Sequence, residues 1–358
     1  MANVLDLRRR IRSVRNTRQI TKAMKMVSAA RLRRAQDRTV SARPYAAMLA
    51  SVLESLKRRA DIYDPETGEV RHPLLLTRPE KRILLVVVSG DKGFAGAFNA
   101  NIFKAAANFM AENRDKEIDV EAIGRKGRDL FRRRYPAAQF SESRDDHQRR
   151  ERQRGSGIEV LEAPSDPLER IGYEGVRRVA ETIIDLYIHE EIDAAYLVYN
   201  EFKSVIQQRV VVERVLPILS LTVQEIERAE EPSIEERERA AEAALSAGVS
   251  LYPHEAEAAQ KQLEDESKNF GTAEVDYIYE QPPQDIFADV LPRYVTSQLY
   301  HAVLESIAAE HAARMTAMDS ATNNASEMID AYTLQMNRVR QAAITKEIIE
   351  IVSGAAAI

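Results

Sequence analysis

Ala325-Ser326-Glu327-Met328-Ile329-Asp330-Ala331-Tyr332-Thr333-Leu334-Gln335-Met336-Asn337-Arg338-Val339-Arg340-Gln341-Ala342-Ala343 is the stretch on which the fold turns. Ala325, Met328, Tyr332, Met336, Val339 and Ala343 recur every three or four residues, which is the spacing of a coiled-coil seam, here built from small and flexible side chains. From Arg293 to the end there is no proline, and the only glycine is Gly354. Roughly 60 residues of continuous helix at about 1.5 Å each would span on the order of 90 Å. So long a stripe needs a partner helix.

The other end of the chain supplies one. Residues 2–59 hold no glycine and a single proline, Pro44, and read as one or two long helices, with Pro44 expected to kink or interrupt them near Arg43. Val4, Leu7, Ile11 and Val14 form a first seam, and Ile20, Met24, Val27 and Ala30 continue it with a shifted phase. Tyr63-Asp64-Pro65-Glu66-Thr67-Gly68 ends the helical region. The two terminal segments bury their stripes by pairing antiparallel. The methionines Met24, Met26, Met315, Met318, Met328 and Met336 read mostly as core filler between them.

Between the helices the pattern changes. Arg82 to Val88 is a continuous β-branched run, as in a strand covered on both faces, followed by the glycine turn Ser89-Gly90-Asp91-Lys92-Gly93-Phe94-Ala95-Gly96-Ala97-Phe98 and a helix over 101–113. Ile118 to Ile123 leads through Gly124-Arg125-Lys126-Gly127 into another helix, a helix over 173–190 precedes a strand over 194–199, and 209–216 reads as a further strand at the edge. Alternating strands and helices imply a small Rossmann-like, doubly wound α/β domain. Residues 141–157, dense in Arg, Asp and Gln, read as a surface loop. The fold expected is thus an antiparallel two-helix coiled coil with an inserted α/β domain: N-terminal helix 1–62, α/β foot 78–221, acidic helical insert 222–275 and C-terminal helix 285–358.

Composition narrows the function. The net charge of −5 hides a basic N-terminus: residues 1–60 carry 16 Lys and Arg against Asp6, Asp37 and Glu54. Such a helix suits nucleic acid, or equally a path through acidic protein partners. Residues 224–268 hold 13 acids against five bases and read as a helical hairpin or a partly disordered insert. The absence of cysteine excludes disulfides, thiolate zinc sites and thiol switches within the chain. No apolar run approaches the roughly 18 residues of a membrane span, so membrane association is expected only through partners.

Catalytic motifs do not assemble. The spacing of Gly90, Gly93 and Gly96 is neither that of a dinucleotide-binding turn nor that of a P-loop, so a tight strand-to-helix turn is the better reading. Gly124-Arg125-Lys126-Gly127 is like an RNA-clamping loop, but it follows a strand instead of joining two helices. The six histidines have no metal-ligand spacing, and no nucleophile elbow appears. No catalytic, cofactor or metal residues are expected.

Four blocks carry a resemblance. Ile344-Thr345-Lys346-Glu347-Ile348-Ile349-Glu350-Ile351-Val352-Ser353-Gly354-Ala355-Ala356-Ala357 is similar, position for position, to the C-terminal signature of F-type ATP synthase gamma subunits. Residues 16–30, from Asn16 to Ala30, resemble the family's N-terminal block, 89–99 its glycine turn, and 310–318 the stretch before the terminal helix. The resemblance covers all but about 222–272, with Asn323, Ala97 and Ala95 departing from common family residues.

It implies a non-catalytic rotor shaft. Its coiled coil would turn inside a hexamer of alpha and beta subunits, its foot with epsilon on the membrane c-ring, at the cytoplasmic face of a bacterial inner membrane. Arg340, Gln341 and Thr345 would contact a catch region of beta, Met24 and Arg314 would lie at the level of the beta lever, and Gly354, Ala355, Ala356, Ala357 and Ile358 would sit in an apolar bearing. The insert falls where photosynthetic members carry a cysteine-paired regulatory segment and is expected to tune ATP hydrolysis. The alternatives are a basic coiled-coil nucleic-acid binder and a nucleotide-using α/β enzyme.

Overall fold

The computed structural model describes residues 3–57, 72–140, 152–153, 155–161, 167–218, 226–251 and 280–356. Two helices dominate it: α1 (Val4–Lys57) and, at the other end of the chain, α6 (Pro283–Ala356), which pack along one another. At about 1.5 Å per residue, the 74 residues of α6 extend on the order of 110 Å.

The foot is a six-stranded sheet in the order β5-β2-β1-β6-β7-β8, from β1 (Arg82–Val88), β2 (Glu117–Ile123), β5 (Ile158–Val160), β6 (Ala194–Phe202), β7 (Gln208–Leu216) and β8 (Ile226–Glu230). Strands β5, β2, β1 and β6 run parallel, while β7 and β8 add antiparallel. A short hairpin of β3 (Gln139–Phe140) and β4 (Arg152–Gln153) lies apart. Helices α2 (Phe98–Glu112) and α3 (Arg125–Arg134) pack together beside the parallel strands, and α4 (Tyr173–Ile188) packs on α6. The expected combination of a two-helix pair and an α/β foot is present.

Several details differ from expectation. Pro44 does not end α1, which continues to Lys57. A proline inside a helix costs about 3 kcal/mol, and burial of Leu53 and Leu56 beyond it, with Leu32 and Thr39 before it, offsets that cost. Strand β7 is not at the edge, because β8, from the acidic stretch, pairs outside it. The insert therefore contributes a strand as well as α5 (Ile234–Ser246). That helix begins in a reciprocal Ser233–Glu236 capping box. It ends in a Schellman turn, where Gly248 has φ +65° and the Val249 N–H donates to the Ala244 carbonyl at 2.9 Å. The break at 63–68 and most of the 141–157 loop lie outside the described residues.

The surroundings of α6 change along its length. Every residue from 302 to 312 is buried, as for a helix enclosed on all sides by α1, α4 and the sheet. Residues 313–322 are all buried or half-buried, from 323 to 339 only a stripe is covered, and residues 340–353 are all exposed.

Candidate functional site: the shaft and its junction with the foot

The seam of the pair keeps one register. On α1 the covered positions Leu7, Ile11, Val14, Arg18, Thr21, Lys25, Ser28, Leu32, Ala35 and Thr39 alternate steps of four and three without the expected phase shift. Polar side chains hold the middle of that seam. Thr21 and Thr322 hydroxyls lie 2.8 Å apart, Arg18 donates to Ser326 Oγ at 3.5 Å, and Lys25 Nζ reaches Asp319 Oδ1 at 2.5 Å. Ile20 and Val27, expected in the seam, and Met26, expected as core filler, point outward and are 60%, 53% and 51% exposed. On α6 Ile329 takes the seam position expected for Met328, which is exposed. Of the six methionines, Met315 and Met318 are buried, Met24 and Met336 half-buried, and Met26 and Met328 exposed.

The pairs Arg18–Ser326, Thr21–Thr322 and Lys25–Asp319 advance in opposite directions at one rate, so Val4 falls opposite Arg340. Beyond that point α6 runs alone to Ala356, about 24 Å of single helix. Ile344, Ile348, Ile349, Ile351 and Val352 are 48–70% exposed on it. Arg340, Gln341 and Thr345 are exposed there too. Gly354 to Ala356 are helical; their side chains, and Ala357 and Ile358 altogether, lie outside what is described.

At the base, α6 fills the crevice that an open α/β sheet usually offers to ligands, at the carboxyl ends of its central strands. Ser306 Oγ accepts from the Asn200 N–H at 3.3 Å at the end of β6. One turn on, Glu310 stands over the glycine turn so closely that a Cβ on Gly90 would lie 2.9 Å from its Cδ. Arg314 pairs with Glu310 and donates from Nε to the Gly93 carbonyl at 3.3 Å. The turn's other groups are spent internally: the Gly90 N–H on Asn99 Oδ1 (2.9 Å), Asp91 Oδ1 on the Arg125 N–H (2.9 Å), and Ser89 Oγ on the Gly127 N–H (2.8 Å). A buried carboxylate thus stands where a phosphate would approach. Burial raises the pKa of Glu310 and Arg314 opposes the shift.

The same cluster ties in α1. Arg31 donates to Glu169 at 2.8 Å, and Glu169 lies 3.7 Å from His311 Nε2. Burial pushes His311 down to about 4, so the ring is neutral at pH 7. Arg314, expected beside a partner's lever, is 7% exposed and belongs to this junction. Half-buried Met24 lies opposite residue 320, about six residues or 9 Å further along the shaft, so the two are not at one level. Among the described residues no group of three or more His, Asp or Glu is placed to hold a metal ion.

The insert docks on the shaft rather than beside it. Ala240, Ala243 and Ala244 of α5 are buried, with α5 packed on α6. Lys25 Nζ donates to Ser246 Oγ at 2.5 Å as well as to Asp319, and Arg33 donates to the Gly248 carbonyl.

A family model described as ATP synthase matches residues 3–358. The ATP synthase gamma chain of Solibacter usitatus (strain Ellin6076) is 47% identical over 100% of this chain and 99% of its own length. That of Anaeromyxobacter sp. (strain Fw109-5) is 39% identical over the whole of both. This chain belongs to the ATP synthase gamma chain family. Among solved structures, the central stalk and c-ring of Tetrahymena thermophila mitochondrial ATP synthase aligns with a TM-score of 0.47 and 20% identity, covering 84% of this chain and 99% of that one. The gamma-chain relatives align along the full chain, so the acidic stretch lies within the length they share. No described helix is long and apolar enough to cross a membrane.

Sequence reasoning missed Glu310, Glu169 and Lys25 as junction residues. A signal was present: Glu310 and His311 interrupt the alanines at 308–313, Arg314 follows them, and charges inside an all-round apolar helical segment must pair.

Proposed function

We propose that this chain is the non-catalytic central shaft of an F-type ATP synthase. It transmits rotation between a membrane ring driven by proton flow and the catalytic beta subunits, at the cytoplasmic face of a bacterial inner membrane. The single observation that carries the reading is the exposed apolar end of α6, from Ile344 to Val352, standing beyond the end of its partner helix. A contiguous exposed apolar surface of this kind marks a site that another chain covers. In this role Arg340, Gln341 and Thr345 face the beta catch region, Met24 meets a beta lever, and 354–358 turn in an apolar bearing formed by alpha and beta. Arg314 acts at one remove, by fixing the glycine turn to the shaft. Epsilon and the c-ring take the foot.

The docked helix α5 supports a further part of the proposal: the insert tunes ATP hydrolysis by bracing the shaft through Lys25 and Arg33. Purification of this chain from detergent-solubilised membranes, with mass spectrometry, tests the main reading. Alpha, beta, epsilon and ring subunits are expected to co-purify, and recovery of the chain alone overturns it.

A further inference from the structure

Where α6, with α1 packed along it, meets β6 and β7, acids are buried without a matching set of bases among the described residues. Glu213 of β7 is 2% exposed and Glu305 of α6 is 3% exposed. Glu213 Oε2 lies 3.4 Å from the Tyr199 hydroxyl, and Glu305 Oε1 lies 3.3 Å from His301 Nε2. Among the described residues the second oxygen of each carboxyl, and Gln298 Oε1 on α6, have no hydrogen-bond partner, while the Phe202 N–H of β6 faces the Glu305 carboxyl and works against its shift. The described groups that face this cluster come from every packed element: Arg43 of α1, Tyr294, Gln298 and His301 of α6, Tyr199 and Glu201 of β6, and Arg209 of β7, which is already paired with Glu201. Carboxyl oxygens buried at an interface and left without a full set of donors call for bound protons.

We propose that Glu213 and Glu305 form a proton-operated joint between foot and shaft, one that holds β7 against α6 when both carboxyls carry protons and loosens as they ionise. Burial supports this, raising Glu213 to about 8 and Glu305 well above the usual carboxylate range. The sign follows from linkage. In the closed joint the carboxyls keep their protons to about pH 8 or beyond, whereas once exposed they release them near pH 4.5. Opening therefore becomes easier as pH rises from about 4.5 to 8 and levels off above the closed-state pKa of each group. His301, lowered to about 4 in the closed joint, acts oppositely only below its ordinary 6.5. Between pH 6.5 and 8 the carboxyls alone set the slope, about tenfold per pH unit for each proton.

Amide hydrogen exchange on the full chain, corrected for the intrinsic pH dependence of exchange, reads this directly in peptides covering 208–216 and 294–306. In the wild type, opening is expected to rise between about tenfold and a hundredfold per pH unit from pH 6.5 to 8. Glu213→Gln should lower that slope by tenfold per unit, and adding Glu305→Gln should flatten it. A flat wild-type profile, or a Glu213→Gln slope equal to wild type, overturns the proposal. Should the variants fail to fold, infrared difference spectra of the chain with Glu213 and Glu305 intact, carrying labelled glutamate, decide. Burial also raises Glu121 to about 8 and lifts Glu310, so the band is read in a Glu121→Gln/Glu310→Gln background: a protonated glutamate carbonyl band at pH 6.5 that is lost at high pH supports the joint, and its absence at pH 6.5 refutes it. Neither readout depends on ATP synthesis, so the joint and the rotor role stand or fall separately.

Discussion

Replacing Lys25 with methionine tests how the shaft, its seam and the insert are held together. The lysine is 7% exposed and its ammonium binds Asp319 and Ser246 at 2.5 Å each, so one cation joins α1, α6 and α5. Methionine fills nearly the same volume but leaves Asp319, with a side chain 14% exposed, without its cation. Breaking a buried pair in this way costs about 3–5 kcal/mol, and partial access of water to Asp319 puts the expected loss near 3. The lost hydrogen bond to Ser246 adds about 1 kcal/mol, since that hydroxyl keeps its bond to the Glu242 carbonyl at 2.8 Å. Removing both charges in Lys25→Met/Asp319→Leu should restore most of the loss, because a buried pair and an apolar pair of similar volume are close in energy. Hydrogen exchange on the full chain should show roughly a thousandfold faster opening at 319–326 and 240–249 in the single variant, at about 1.4 kcal/mol per tenfold, and near wild type at 319–326 in the double. A single-variant cost under about 1 kcal/mol, or a double variant as labile as the single, would refute the reasoning.

Two further outcomes follow from the geometry. Gly124 has φ +96°, and a Cβ there would lie 1.9 Å from the Ser89 carbonyl oxygen. Gly124→Ala should therefore separate the ends of β1 and β2 at a cost above about 3 kcal/mol, whereas Gly93→Ala, with open space around it, should stay within about 0.5 kcal/mol; thermal unfolding of the two full-length variants gives the comparison, and similar melts would contradict it. Ile344→Asp/Ile348→Asp/Ile351→Asp should leave unfolding of the isolated chain unchanged, since these side chains are at least 48% exposed, and should lower ATP synthesis by the assembled complex; unchanged synthesis would count against a partner around the tip.

Much of this architecture is legible in the sequence because periodicity reports burial. The Val-rich run at 82–88 and the seams at the two ends carry that signal plainly. The phase shift expected after Val14 is the instructive miss. Hydrophobicity places Ile20 and Val27 inside, yet Thr21, Lys25 and Ser28 are inside because each has a polar neighbour or a close helix to meet. A pattern reading assumes that the chain covers its own apolar groups, and it fails where another molecule would. The edge strand Ile226–Glu230 was unreadable for a different reason: Ile-Glu-Arg-Ala-Glu has little intrinsic strand character and is extended because it pairs with Val210–Glu213 of β7. Pro44 is a local breaker whose effect is overridden by Leu53 and Leu56 buried beyond it, a tertiary term that local pattern does not carry.

The polar seam also bears on where the shaft gets its stiffness. A neutral hydrogen bond such as Thr21–Thr322 contributes about 1 kcal/mol, so the middle of the pair gains little from its own core. The base is different. Every residue of α6 from 302 to 312 is buried, and Ser306, Glu310 and Arg314 fasten that stretch to the ends of β1 and β6 and to the glycine turn. In the proposed role, torque applied to the foot would enter α6 through a fully enclosed segment and leave through one with no enclosure of its own. Covering a large apolar side chain contributes about 1.5–3 kcal/mol, so Ile344, Ile348, Ile349, Ile351 and Val352 together offer on the order of 10 kcal/mol to whatever surrounds the tip. The chain fixes its own base and leaves the straightness of its far end to its surroundings, which is the arrangement a shaft needs when one end is driven and the other is guided.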